Sequence, residues 1–300
     1  MIVGILESES DRFINDVVSR LSGVSVEFIR LGMGKIPIEQ CFQVIVDRLS
    51  FRTPFLKEII KALSLNGTYV INNPFTASLT NKLVEIQIGK SLGLTFPKTI
   101  VLPDVSAIDD NDGVVLQPVL EQIVEEIGLP IILKPFNGYA WEDVYQINSL
   151  DELRKFYGDL SSRHVFIAQQ LIRFKQYFRV FCFDKQDVLF IRWIPKPMAM
   201  GQYIYDEQDM LGDARYRLTD LTIQLNQVLD LDVNTIEWCV DEEGRWWVID
   251  AYNEVPDIVP EAIPDEYYTW IVDRFAACIK DKLDTSKRNR ITFGSAVKSA

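Results

Sequence analysis

Two carboxylates and an amide near the C-terminal end are the residues of this chain best placed to do chemistry. In the stretch TIEWCVDEEGRWWVIDAYNEVPD, Glu237 lies on one β-rich run, and Asp250 and Asn253 close the next. The intervening segment from Asp241 to Gly244 reads as a hairpin turn, because Asp and Gly supply the backbone geometry of a tight reversal. Folding that hairpin brings three oxygen-bearing side chains to one end of a strand pair. Such a set suits Mg²⁺, which takes one or two carboxylates and fills its shell with water and phosphate oxygens; Mn²⁺ accepts the same ligands. A solvated hairpin with surface acids explains the segment equally well.

Cationic candidates lie upstream. Lys134 interrupts the apolar strand-like run PIILKPF and is followed by Asn137 and Gly138. A buried lysine is costly unless an anion meets it, and phosphate is the obvious anion. The turn over 137–143 would then fold across that phosphate with its backbone N–H groups. The other reading is a snorkelling lysine before an ordinary hairpin. Lys82, near the start of a helical pattern, is either a second phosphate contact or an exposed helix lysine. Gln169 and Gln170 follow the strand HVFIA where two units meet; a flat base could lodge there, or the amides are solvated. Arg179 and Arg192 fall on neighbouring strands. Facing one surface they would flank an anionic group; otherwise they pair with acids across the sheet.

Those residues must be positioned by elements the pattern supplies. Residues 1–75 alternate strands (2–6, 24–31, one within 41–50, 68–74) with helices (13–21, 54–67), which predicts a small parallel α/β unit. Residues 76–172 hold a helix with Thr80 as N-cap and Gly93 as C-cap, and an irregular polar stretch at 104–120. A helix closed by Gly128, the Lys134 strand, a helix with a Ser149/Glu152 capping box and the 164–172 strand complete the unit. Residues 173–284 open with two alternating strands joined by DKQD, then a loop over 195–209, a helix at 216–229, the acid-bearing hairpin and a long amphipathic helix. The basic tail, 285–300, is expected to be disordered.

Composition narrows the function classes. The 300 residues are 48% hydrophobic and 25% charged, as in a globular protein with a sizeable core. A formal net charge of −12 argues against a nucleic-acid partner, whose phosphates need a basic surface. The single histidine, His164, excludes histidine triads and multi-histidine zinc sites and reads as structural. No apolar run approaches the roughly 18 residues of a membrane span, and the N-terminus lacks a signal-peptide pattern. Four cysteines without a CxxC pair read as buried free thiols, so a cytoplasmic location is expected.

Taken in order, these parts are more specific than singly. A helix lysine, a lysine strand with its turn, a glutamine hinge, arginines on a hairpin and Glu…Asp-x-x-Asn together resemble the ATP-grasp superfamily. The likeness is to its glutathione-synthetase-like and glutamate-adding ligases, and runs from Asp47–Arg48 to the closing helix. NNPFTASLTNKLVEIQIGKSLGLTFPKT is similar to that family's entry into its ATP domain. The resemblance implies an N-terminal α/β domain followed by two α+β subdomains that grip ATP between antiparallel sheets. It implies that Lys82 and Lys134 contact phosphates under the Asn137–Gly138 turn, and that Gln169, Gln170 and Leu171 run along the adenine. It further implies that Glu237, Asp250 and Asn253 hold Mg²⁺, with Arg179 and Arg192 near the γ-phosphate and acyl phosphate. The implied activity is an ATP-dependent ligase joining a carboxylate to an amine, on small molecules or a peptide, and compatible with a homo-oligomer.

Three features depart from that pattern. The loop NGYAWED keeps one glycine and adds Glu142 and Asp143; Asp250 and Asn253 stand one residue further apart than usual; Gln176 or Tyr177 occupies the position of a ribose-binding acid. A catalytically degenerate nucleotide-binding or scaffold protein is therefore the alternative, and a plain α/β small-molecule binder a third.

Overall fold

The computed structural model describes residues 1–30, 42–79, 81–109, 113–138, 142–195, 202–205, 211–283 and 288–289. Cys41, the expected Thr80 cap, the middle of the 137–143 turn and most of the 195–209 loop and the tail lie outside these residues.

The N-terminal part builds β1 (Ile2–Leu6), α1 (Arg12–Ser19), β2 (Ser25–Phe28), β3 (Val44–Asp47), α2 (Pro54–Leu65) and β4 (Tyr69–Ile71). Its strands pair in parallel in the order β2-β1-β3-β4, as the strand–helix alternation predicts. At the β4 edge, Asn289 accepts from the Val70 N–H at 2.7 Å and donates to its carbonyl at 3.0 Å. The expectation of a wholly disordered tail therefore fails at Asn289: its amide satisfies an open strand edge.

Next come α3 (Pro74–Leu79), α4 (Lys82–Ser91), β5 (Thr99–Leu102), α5 (Val105–Asp109), α6 (Leu120–Ile127), β6 (Ile131–Pro135), β7 (Tyr145–Ile147), α7 (Leu150–Leu160) and β8 (Phe166–Gln170). The strands form an antiparallel sheet, β5-β8-β6-β7. Ile131, Leu133, Phe166 and Ala168 face α6 and α7 in one core, so Ile132, Lys134, Ile167 and Gln169 share the opposite face. The short α5 lies where irregular chain was expected. The cap of α4 is Asn81, whose side chain accepts from the Leu83 and Val84 N–H groups at 3.0 and 3.2 Å. Ser149 accepts from the Glu152 N–H at 3.2 Å, but Glu152 returns to the Asn148 N–H at 2.7 Å, so the capping box closes one residue early.

The last part contains β9 (Phe174–Phe183), β10 (Asp187–Ile194), β11 (Gln202–Ile204), α8 (Ala214–Val228), β12 (Val233–Asp241), β13 (Trp246–Asp250) and α9 (Asp265–Lys282). Its five-stranded antiparallel sheet runs β11-β10-β9-β12-β13, and β11 is a strand that the loop-like 195–209 stretch did not predict. One face, with Phe178, Val180, Trp238 and Val248, packs on α4 and α8. The other, with Phe181, Phe183 and Ile191, packs on α9, which also covers the N-terminal sheet; Phe275 of α9 stacks on Phe13 at 5.7 Å. Cys182, Cys239 and Cys278 are buried free thiols, as expected. Among the described residues no helix is long and apolar enough to cross a membrane.

Candidate active site

The hairpin β12–β13 is held at both ends. At its turn, Asp241 accepts from the Arg245 N–H, the Arg245 Nε and the Trp247 Nε1, each at 2.8 Å, while Gly244 takes a φ of 81°. At the open end Glu237 lies directly opposite Asp250 on one side and Arg179 of β9 on the other. A bulge sets that pairing: Val248 opposes Trp238, Asp250 opposes Glu237, and Ile249 is the extra residue between. Without it Ile249 would face Glu237, so the bulge turns an apolar contact into a pair of carboxylates. Beyond the strand, fully buried Asn234 donates to the Ala251 carbonyl at 3.0 Å and accepts from the Asn253 N–H at 2.7 Å. The Asn253 amide, oriented to satisfy both of its ends, accepts from Arg179 Nη2 at 3.2 Å and donates to the Val255 carbonyl at 3.0 Å.

Two lysines meet this end of the sheet. The Lys82 N–H donates to the Phe136 carbonyl at 3.3 Å, which ties the start of α4 to the turn after β6. Lys82 Nζ reaches Asp250 Oδ2 at 2.7 Å, with the lysine side chain only 12% exposed. Lys134 is buried, and its Nζ stands 3.5 Å from the Ile249 carbonyl, too long for a strong hydrogen bond. One turn after Lys82, Glu85 is 2% exposed and its Oε2 accepts the Ala251 N–H at 3.2 Å. Gly89 holds α4 in place: a Cβ there would land on the Phe96 ring.

The electrostatics are those of an enclosed, mixed-charge site. Burial would raise the Asp250 carboxyl, but Lys82 and Lys134, helped by the Tyr252 N–H, hold it below the usual range. Burial would likewise lower Lys82; Asp250 and Glu85 outweigh it and keep the ammonium raised. Lys134 is lowered by burial and then by Lys82. Glu237 is raised by burial, although Arg179 and the Tyr177 hydroxyl, which donates to it at 2.5 Å, pull it back. Burial and then Asp250 push Glu85 well up against both lysines. An acid raised by burial is relieved by a cation, and a lysine lowered by burial is relieved by an anion. Among the described residues Asp250 Oδ1 is buried without a hydrogen-bond partner, an orphaned acceptor beside Glu237. No three His, Cys, Asp or Glu side chains among those residues form a ready metal cage. A carboxylate pair completed by ligand oxygens is the arrangement Mg²⁺ takes.

The architecture has solved counterparts. D-alanine–D-alanine ligase from Bacillus anthracis, complexed with ATP, is 14% identical and superposes with a TM-score of 0.69 over 94% of this chain and 97% of that one. The ATP-grasp ligase PsnB, complexed with minimal precursor, Mg and ADP, is also 14% identical, with a TM-score of 0.64 over 94% and 97%. The macrocyclase MdnC from Microcystis aeruginosa, bound with precursor peptide MdnA, is 12% identical, with a TM-score of 0.65 over 93% and 99%. The chain has the ATP-grasp fold. Identities this low speak for the fold alone. No family model matches the sequence, and no curated protein matches it by sequence.

Within the ATP-grasp fold the remaining candidates divide. Gln169 is buried and donates to Thr99 Oγ1 at 3.0 Å, on the same face of its sheet as Lys134. Gln170 lies on the other face, where its side-chain oxygen accepts from the Lys98 N–H at 3.3 Å; Leu171 begins the link to β9. Gln169 is thus a buried sheet position and not a solvated amide, whereas Gln170, at the strand end, is half-buried. Asn137 is exposed and Gly138 half-buried in the turn after β6. Asp143, further along, is engaged by His164 Nε2 at 3.2 Å and by the Tyr145 hydroxyl at 2.8 Å.

The two arginines do not share a surface. Arg179 opposes Ile191, whereas Arg192 opposes Phe178, and a strand alternates faces at every residue. Arg179 therefore stands with Glu237, under Trp193 at 5.4 Å and bonded to the Tyr203 hydroxyl at 2.8 Å. Arg192 lies on the face of Phe178 and Trp238. Sequence reasoning passed over Glu85, Asn234 and the Tyr177 contact to Glu237. For Glu85 one signal existed: it falls one helical turn from Lys82, on the same stripe.

Proposed function

We propose that this chain is an ATP-dependent ligase that joins a carboxylate to an amine through an acyl phosphate. In this reading a substrate carboxylate oxygen attacks the γ-phosphorus, ADP leaves, and the amine nitrogen then displaces phosphate from the acyl carbon and loses a proton. Lys82 and Lys134 bind the phosphates, Gln169, Gln170 and Leu171 border the base, and the Asn137–Gly138 turn lies over the triphosphate. Glu237, Asp250 and the Asn253 oxygen would hold Mg²⁺, which would supply neutralisation of the charge on the transferred phosphoryl group. Arg179, fixed by Tyr203 and Trp193, is the cation placed for the acyl phosphate; Arg192, on the far face, leaves this list. A cleft bordered by Asp47, Phe51, Lys57, Pro74 and Glu254 begins one residue past Asn253 and offers the acceptor an approach from the N-terminal unit.

The observation that carries this reading is the Glu237–Asp250 pair, opposed across a bulged hairpin with Lys82 already on Asp250. The ATP-grasp fold around it, and neighbours solved with ATP or with Mg and ADP, support the same conclusion. The direct test is calorimetry of ATP with and without Mg²⁺, followed by an ADP-release screen over small carboxylates, amino acids and peptides. Lys134→Ala is expected to abolish ADP release with the melting temperature within about 5 °C of wild type, since a desolvated lysine contributes little to stability. Undiminished turnover in that variant would refute the assignment. The glycine-poor loop favours the degenerate scaffold instead; Mg²⁺-dependent ATP binding with no ADP release on any substrate would decide for it.

A further inference from the structure

The Lys82–Asp250 ion pair sets two proposed ligands against each other. While the two hold each other at 2.7 Å, Asp250 can offer a cation only its unpartnered Oδ1, and its second oxygen is free only when Lys82 leaves. A lysine only 12% exposed needs an acceptor in place of any it gives up. Glu85 stands one turn along the same helix, on the stripe that carries Lys82. Its Oε2 is tethered to the Ala251 N–H at 3.2 Å, so its carboxylate spans from the helix of Lys82 to the residue after Asp250. Both lysines sense its charge. Among the described residues Glu237 is not so placed, because the Tyr177 hydroxyl holds it and it lies opposite Asp250 on the hairpin.

We propose that Glu85 is a positioning residue, the second partner that receives the Lys82 ammonium when Asp250 turns to a divalent cation. Lys82 then passes from one carboxyl group to another and keeps a buried hydrogen-bond acceptor during loading. The inference rests on the ligase reading above, since it assumes that a cation and a nucleotide enter here.

A double-mutant cycle tests it through binding, without turnover. Mn²⁺ affinity at saturating ADP is read by electron paramagnetic resonance for wild type, Glu85→Gln, Lys82→Met and the double variant. Glutamine keeps an acceptor for the Ala251 N–H, and thermal melting checks the fold. Glu85→Gln is expected to weaken Mn²⁺ about tenfold, or about 1.4 kcal/mol, in the wild-type background. With methionine at position 82 there is no ammonium to receive, so the same change is expected to cost less than about twofold. Equal weakening in both backgrounds would mean that Glu85 acts only through its field, and no weakening in either that it does nothing; both overturn the proposal. Glu85→Asp, which keeps a carboxylate, is expected to recover most of the affinity, and a loss as large as that of Gln in a fully folded Asp variant also counts against it. Wild type that binds no Mn²⁺ with ADP would instead sink the ligase reading, and this inference with it.

Discussion

Asp250→Asn separates what the carboxylate does for stability from what it does for a ligand. At pH 7 the carboxyl is ionised, because Lys82 and Lys134 hold it below its usual range despite burial. A depressed acid contributes stability that is present above its unfolded value, about 3.9, and is lost only as pH falls through the folded one. Removing one member of a buried pair costs about 3–5 kcal/mol when nothing replaces it. Here Asp250 is 29% exposed and Glu85 remains beside Lys82, so the cost falls below that range, to about 1–3 kcal/mol. At about 2–4 °C per kcal/mol, that predicts a melting temperature lower by about 2–12 °C at pH 7. The ligand effect is larger and changes sign with the metal. Losing one of two opposed carboxylates should lower the Mg²⁺-dependent part of ATP affinity by at least about 10²-fold. Metal-free ATP should bind as well or better, because Lys82 is released and a negative charge is gone. Calorimetry with Mg²⁺ and with a chelator measures both arms. A variant whose Mg²⁺-dependent affinity stays within about threefold of wild type, or whose melting temperature rises, would refute the reasoning.

Three further outcomes test the scaffold of the site. Asn234→Ala leaves the Ala251 carbonyl and the Asn253 N–H unpaired in a fully buried position. At about 1–3 kcal/mol per orphaned group the variant should melt well below wild type, and it should lose Mg²⁺-dependent ATP affinity as the Asp250–Asn253 turn loosens. Asp241, held by Trp247 and Arg245 against its burial, has its carboxyl lowered to about 2. Asp241→Asn should therefore melt below wild type above about pH 4, with the difference vanishing as pH falls from the unfolded value towards 2; a gap that persists at pH 2 would show that charge is not what holds the turn. Arg192→Ala should change Mg²⁺·ATP affinity and ADP release by less than about twofold, because β10 turns that side chain away from Glu237. A tenfold loss would overturn the register argument.

What could be read before folding was whatever depends on local period. Alternating strands and helices located all three sheets, and a lysine inside PIILKP stood out as either a buried charge or a snorkelling one, of which the fold makes it the first. The hairpin turn, built on Asp241 and Gly244, brought Glu237 and Asp250 together as the sequence suggested. What could not be read depends on how one strand registers on another. Arg179 and Arg192 lie on adjacent strands, and only the pairing of Ile191 with Arg179 decides that they face apart. The bulge at Ile249 is equally silent, since WWVID reads as five regular strand residues. Glu85 sits in VEIQIGK, where a glutamate looks like part of a solvated helix face until α4 is laid against β13. The strand β11 is three residues long and owes its form to β10, not to its own pattern.

The spacing of Asp250 and Asn253, one residue longer than in the family the sequence resembles, finds its physical counterpart in those same unforeseen residues. An added residue at a fully buried turn brings one N–H and one C=O that water cannot reach. At Ala251 the N–H goes to Glu85 and the C=O to Asn234, so both groups are satisfied by side chains from outside the hairpin. The Asn234 oxygen then takes the Asn253 N–H, which fixes where the longer turn ends. Asn72, from the N-terminal unit, repeats the device one step further out, bonding both the N–H and the C=O of Val233 at 2.7 Å and the Glu254 carbonyl at 3.0 Å. The longer spacing therefore need not loosen the oxygen set, because each backbone group it exposes has an assigned partner. Those partners also couple the turn to α4 and to the N-terminal sheet. By this argument, shortening the turn by deletion of Ala251 would leave Glu85 and Asn234 with unmatched polar groups in the core, and would damage the site more than the extra residue does.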